Sequence, residues 1–178
     1  GDPSKGYPMV LGDANVHLLM AGQSGAGKSA AINQMLLSLL CKYSPNELML
    51  VMIDFKNVEF STFTKPDPKS TGKLSIIPHA RIMAGTKDGE YALSIFDFLI
   101  AEMERRQKVF GAVNQKKLED YNNLMTEQGH PEKRLPRILL LIDEFQVMFT
   151  EVDRAIVDKI QDRIRSLAKL ARAFGCHM

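Results

Sequence analysis

The fold of this chain is decided by a glycine-rich stretch at residues 22–29, whose sequence is Gly22-Gln23-Ser24-Gly25-Ala26-Gly27-Lys28-Ser29. The stretch matches the pattern GxxxxGK[ST], in which glycines allow backbone N–H groups to point inward around bound phosphates. An apolar run at residues 16–21 precedes it and predicts a strand, while residues 29–42 carry apolar side chains at helical spacing. Strand, loop and helix in this order are the context that a phosphate-binding loop requires.

The chemistry of residues 22–29 predicts a site for ATP and Mg²⁺. The Lys28 ammonium suits the β- and γ-phosphate oxygens, and the Ser29 hydroxyl is a typical Mg²⁺ ligand at this position. The N-terminus of the following helix adds the positive end of its dipole. The alternative is a glycine-rich turn that matches the pattern by chance, and a lone match would leave that alternative open.

An acidic strand end later in the chain supplies the second half of such a site. Residues 137–142 predict a strand that leads into Asp143 and Glu144, at the edge where α/β sheets bind ligands. Asp143 is expected to hold Mg²⁺ through its water shell. Glu144, projecting the other way along the pleat, is expected to polarise the water that attacks the γ-phosphate. The alternative is a pair of solvated acids at a strand end.

The rest of the chain alternates strands with helices. Strands are predicted at residues 48–53 and 81–83, with a short edge strand at 9–11, and helices at 88–110, 115–126 and 154–174. Residues 65–78 contain prolines and no periodicity, which predicts an exposed excursion. The alternation is typical of an α/β fold with a parallel sheet and helices on both faces. Because Gly175 is expected to end the last helix and a strand to follow it, residues 1–178 are interpreted as a single domain truncated at the C-terminus.

Composition indicates a soluble globular domain. The 178 residues are 45% hydrophobic and 25% charged, and apolar runs such as residues 138–142 are far too short to cross a bilayer. Cys41 and Cys176 form no CxxC pair, which favours a reducing compartment. A net charge of +2 does not by itself indicate a polyanionic partner.

Segments along nearly the whole chain resemble the FtsK/SpoIIIE family of ring-forming motor ATPases, namely His17-Leu18-Leu19, Met52-Ile53-Asp54-Phe55-Lys56, Glu102-Met103-Glu104-Arg105-Arg106, Asp120-Tyr121-Asn122, Ile142-Asp143-Glu144-Phe145 and Ala171-Arg172-Ala173-Phe174-Gly175. The resemblance implies a RecA-like P-loop NTPase core and Mg-dependent ATP hydrolysis coupled to translocation. It also implies a homo-hexamer with ATP sites between subunits. A cytoplasmic location is expected, with any membrane contact made by parts of the protein outside this segment. Phe55 departs from the proline that family members usually have after the second-strand aspartate.

Three functions remain open within this resemblance. The first is a translocase that moves double-stranded DNA. The second is an ATPase of type VII secretion or conjugation, which moves a secreted polypeptide or nucleoprotein, and the third is a nucleotide-binding module that orders a ring without turnover. Secretion members often carry a glycine pair just after the second-strand lysine, where this chain has Asn57-Val58-Glu59. That difference favours a translocase of DNA over a secretion ATPase.

Five further residues are secondary candidates for the site. Arg105 or Arg106 is expected to reach a neighbouring subunit's γ-phosphate as an arginine finger, with Arg172 as a rival. For each arginine the alternative is a solvated or salt-bridged helix residue. Asp54 and Lys56 lie at the end of the strand predicted at residues 48–53. They are expected to position the nucleotide site or the neighbouring subunit. The alternative is that they form a surface ion pair.

Overall fold

The computed structural model describes residues 15–23, 25–56, 60–66 and 74–178. Ser24 of the phosphate-binding loop, the predicted edge strand at residues 9–11 and the segment at residues 57–59 lie outside the described residues.

Four parallel strands form the main sheet. In chain order the strands are β1 (Leu48–Asp54), β2 (Thr64–Pro66), β3 (Leu74–Ile76), β4 (Ala80–Gly85), β5 (Arg137–Asp143) and β6 (Cys176–His177). The main sheet has the order β4-β1-β5-β6, and β1 pairs in parallel with both β4 and β5. The central strands β1 and β5 have continuous apolar runs because both of their faces are covered.

Helices cover both faces of the sheet. They are α1 (Lys28–Lys42), α2 (Gly89–Gly111), α3 (Leu118–Glu127), α4 (Met148–Glu151) and α5 (Arg154–Phe174). On one face, Leu36 of α1 packs in a cluster with Leu50 of β1 and Leu139 of β5. On the other face, α2 and α5 pack over β1 and β5, with Leu99 and Ile160 fully buried. The predicted α/β fold with a parallel sheet between helices is therefore confirmed.

Two local predictions are corrected by the structure, and a third segment contains a short strand pair that was not predicted. Residues 16–21 do not form a strand, although Leu18 N–H donates to Met178 O at 2.8 Å. The neighbouring strand β6 has only two residues, which is too few for a continuous series of backbone hydrogen bonds between the two segments. The helix predicted from residue 115 begins at Leu118, because Lys117 has an extended backbone. Within the predicted excursion, β2 and β3 form a small antiparallel pair whose three-residue strands are too short to show a periodic pattern.

The end of the last helix agrees with the prediction. Gly175 adopts a left-handed conformation with φ of 70° and caps α5, and β6 begins at the next residue. Among the described residues, none of the helices has the length and apolar character that a membrane span requires.

Candidate functional site

Three strands of the main sheet end at one edge and bring two acids together there. The parallel pairing of β1 with β5 places Asp54 opposite Asp143, and the pairing of β1 with β4 places Asp54 opposite Gly85. This carboxyl edge is where open α/β sheets bind their ligands. Residues 16–21 lie beside β6, which in turn pairs with β5. The following loop therefore starts about two strand spacings, or ~10 Å, from Asp143 across the sheet.

The described residues of the loop at 22–29 include two glycines whose backbone conformation suits phosphate binding. Gly25 and Gly27 have φ values of 79° and 85°, a left-handed conformation that side chains disfavour. Gly27 is the N-cap of α1, where no side-chain cap bond forms and where the first turn carries no acid. This end of α1 therefore suits an anion, which the positive end of the helix dipole attracts.

Lys28 lies across this loop. Its Nζ donates to Gly22 O at 2.5 Å and to Gln23 O at 3.1 Å, so the ammonium points back over the backbone turn rather than into solvent. A methyl group added at Gly22 would meet the Cβ of Ala26 at 3.3 Å, which is closer than most such contacts in proteins. The glycines, the N-terminus of α1 and the lysine together fit a bound triphosphate.

The acidic strand end differs from its predicted geometry. Strand β5 ends at Asp143, and Glu144 adopts a left-handed conformation with φ of 51° and ψ of 38°. The prediction that Glu144 projects opposite to Asp143 along the pleat is therefore wrong, because Glu144 is not part of the pleat. It caps a short 3₁₀ turn over Phe145–Val147. Left-handed backbone at a residue other than glycine costs about 1–2 kcal/mol and is concentrated at functional sites.

Two side chains hold the Glu144 carboxylate. Lys56 Nζ lies 2.9 Å from Oε1, and the Gln146 side-chain amide donates to Oε2. The hydrogen bond to Glu144 raises the pKa of Lys56, against the opposing effect of desolvation, and the charges of Glu144, Asp143 and Asp54 raise it further. Lys56 was a candidate from sequence, whereas Gln146 was missed, since only the 3₁₀ turn brings it back to Glu144.

The two candidate arginines of α2, Arg105 and Arg106, differ in burial. The Arg106 side chain is 1% exposed, and it donates from Nε to Glu102 Oε1 and from Nη1 to Phe174 O, both at 2.8 Å. The prediction of Arg106 as an arginine finger is therefore wrong, because a finger must reach another subunit. Desolvation lowers the pKa of Arg106, while Glu102 stabilises its charge.

Arg105 and Arg172 remain on the surface. Arg105 is 51% exposed and donates to both carboxylate oxygens of Glu102, at 2.7 and 2.8 Å. Hydrogen bonding to Glu102 raises the pKa of Arg105. Arg172 lies exposed in the last turn of α5. Both therefore remain finger candidates.

Comparison with known proteins supports the resemblance noted above. A sequence model of the FtsK/SpoIIIE family matches residues 5–178. The DNA translocase FtsK of Clostridium tetani is 35% identical over 162 residues, which cover 91% of this chain and 20% of that protein. The DNA translocase FtsK of Campylobacter jejuni subsp. jejuni serotype O:23/36 is 38% identical over 91% of this chain and 15% of its own length. This chain thus spans a fifth or less of these curated relatives.

Solved structures share the fold. The pCW3 conjugation coupling protein TcpA, a monomer form with ATPγS, matches with a TM-score of 0.64 and 26% identity, over 90% of this chain and 41% of that chain. ATPases 2 and 3 of EssC from Geobacillus thermodenitrificans match with a TM-score of 0.64 and 23% identity, over 88% and 26% of the two chains. The family match extends over nearly all of this chain and includes the loop and both acids of the strand end, so the chain belongs to the FtsK/SpoIIIE family.

Proposed function

We propose that this chain is the ATP-binding and ATP-hydrolysing core of a ring-forming motor that moves double-stranded DNA. One observation carries the proposal: residues 16–21 lie beside β6 and lead into the loop with left-handed Gly25 and Gly27 and into α1, at the sheet edge where β5 ends in Asp143. A phosphate cradle beside a magnesium ligand and a carboxylate base is the set of groups that P-loop ATP hydrolysis uses.

The roles follow from the chemistry of each group. Backbone N–H groups of residues 22–27 and the Lys28 ammonium bind the phosphates, in place of the carbonyls that Lys28 contacts here. Ser29 and Asp143 are the residues that would hold Mg²⁺, which when bound supplies positive charge beside the phosphate oxygens. Glu144 orients a water and accepts its proton as the water oxygen bonds to the γ-phosphorus and the bond to the bridging oxygen breaks.

A neighbouring subunit completes the site in this proposal. We place ATP sites between the subunits of a homo-hexamer, with a finger supplied in trans by Arg105 or Arg172. An arginine finger contributes about 10³ to 10⁵ in turnover to P-loop enzymes, so an isolated subunit should hydrolyse ATP poorly. Any membrane contact would be made by other parts of a longer protein.

The choice of DNA rests on the relatives. Two proteins named DNA translocase FtsK are 35% and 38% identical to this chain, whereas TcpA and EssC are 26% and 23% identical. Transport of a polypeptide or nucleoprotein is the second candidate, because the conjugation coupling protein TcpA shares the fold with a TM-score of 0.64 at 26% identity. Stimulation of ATP hydrolysis by duplex DNA supports the first function, and no stimulation by duplex of any length contradicts it.

The catalytic part of the proposal is tested with Glu144→Gln. The amide keeps the shape of the side chain but cannot accept the proton, so Mg-ATP binding should persist while turnover falls at least about 100-fold. Calorimetric titration measures binding and phosphate release measures turnover. Turnover close to that of the wild type would place the catalytic carboxylate elsewhere. A wild-type ring that binds ATP tightly without hydrolysing it would instead indicate an assembly module.

A further inference from the structure

We propose that Lys56 is a positioning residue, which acts on hydrolysis by holding the Glu144 carboxylate in place. The inference rests on the proposed function, since it takes Glu144 as the group that orients the attacking water. Lys56 follows β1, and Glu144 follows β5. The observation behind the inference is the 2.9 Å distance between Lys56 Nζ and Glu144 Oε1.

Glu144 needs support from neighbouring side chains because the strand pairing of β5 with β1 ends at Asp143 and does not extend to it. It lies beyond the last residue of β5, in a left-handed conformation, with 26% of its side chain exposed. A glutamate with free side-chain torsions spreads over several rotamers, and a small displacement of a catalytic group costs as much as 100-fold in rate.

Lys56 is itself anchored to the rigid part of the sheet. Its backbone N–H donates to Asp54 Oδ1 at 2.8 Å, and Asp54 is 1% exposed at the end of β1. Asp54 is in register with Asp143 through continuous pairing along β1 and β5. The contact therefore connects Glu144 to the buried sheet by a short series of hydrogen bonds.

The contact leaves Glu144 able to act on water. A carboxylate has about four acceptor positions, and Lys56 and Gln146 each use one oxygen once. Counting contacts from the described residues alone, each oxygen therefore keeps a further position for a water molecule. A surface ion pair without function is the competing explanation, and the chain contains a matched example, since Lys87 Nζ lies 2.7 Å from Glu151 Oε2 with both side chains exposed.

The test compares Lys56→Met with Lys87→Met in the assembled protein. Lys56→Met should lower kcat by about 10- to 100-fold and leave the dissociation constant for ATP within about threefold of the wild type. Lys56→Arg should recover most of the turnover, because it keeps a cation beside Glu144. Lys87→Met should change neither quantity. A large loss of ATP affinity in Lys56→Met would overturn the inference, because it would show that Lys56 is a phosphate ligand. A rise in turnover would also overturn it, because it would show that Lys56 inhibits hydrolysis.

A double-mutant cycle separates this inference from the proposed function. If Lys56 acts through Glu144, adding Lys56→Met to Glu144→Gln should lower the remaining single-turnover rate by less than about twofold. A further loss of tenfold or more would overturn the inference. Wild-type turnover in Glu144→Gln would remove the proposed function instead.

A measurement without nucleotide complements the kinetics. Val147 N–H donates to Glu144 O at 2.9 Å within the 3₁₀ turn, so its hydrogen exchange reports on the order of this turn. Exchange at Val147 should be faster in Lys56→Met than in the wild type and unchanged in Lys87→Met. Equal exchange in all three proteins would contradict the positioning role.

Discussion

Arg106→Met should destabilise the fold rather than remove an arginine finger. The Arg106 guanidinium is buried between the Glu102 carboxylate and the Phe174 carbonyl, in contacts that join α2 to the end of α5. Methionine keeps much of the side-chain volume, so the variant chiefly removes the charge and the hydrogen bonds. Removing one partner of a buried ion pair costs about 3–5 kcal/mol.

The structure favours the lower end of that range. Glu102 keeps its two hydrogen bonds from Arg105 when Arg106 is replaced, so its charge does not remain unpaired. Phe174 O loses a buried donor. A loss of about 3 kcal/mol is a large share of the roughly 5–15 kcal/mol that stabilises a typical domain. For a chain of this size it corresponds to a fall in melting temperature of about 6–12 °C.

Arg105→Met is the matched control, one residue away with the same acidic partner. Because Arg105 is about half exposed, its replacement should cost only about 0–1 kcal/mol. Urea unfolding followed by circular dichroism measures both variants. The reasoning is refuted if Arg106→Met unfolds within 1 kcal/mol of the wild type, or if Arg106→Met keeps its stability but loses hydrolysis in the ring. The second result is the pattern of a finger.

Two further predictions concern the nucleotide site. Lys28→Ala should weaken ATP binding at least about 100-fold, because the β- and γ-phosphate charges would then face only backbone dipoles, and titration showing affinity within a few-fold of the wild type would remove residues 22–29 from the site. Mixing Glu144→Gln subunits with Arg105→Ala subunits, each inactive alone, should restore some turnover, because some interfaces then combine an intact base with an intact finger. Mixed rings without recovered turnover would leave Arg172 as the finger candidate.

The glycine-rich loop proposed to bind phosphate and the main elements around it have conformations that consecutive residues predict. The pattern at residues 22–29 depends on glycine conformation and on the start of a helix, and the structure has left-handed Gly25 and Gly27 directly before α1. The long helices α2 and α5 were also predicted to within a residue or so, because their apolar positions repeat at helical spacing. These features are local, and neighbouring residues are enough to specify them.

The roles of individual charged side chains required the tertiary structure. Arg105 and Arg106 are adjacent in sequence, yet one is exposed and the other is buried against Phe174, which lies 68 positions further along the chain. The contact of Lys56 with Glu144 likewise depends on the pairing of β1 with β5. The sequence alone therefore determined the fold class, which follows from local conformational preferences, and the family, which follows from similarity to known sequences. Only the folded chain decided which charges are buried or paired, because burial and pairing depend on partners that are distant in sequence.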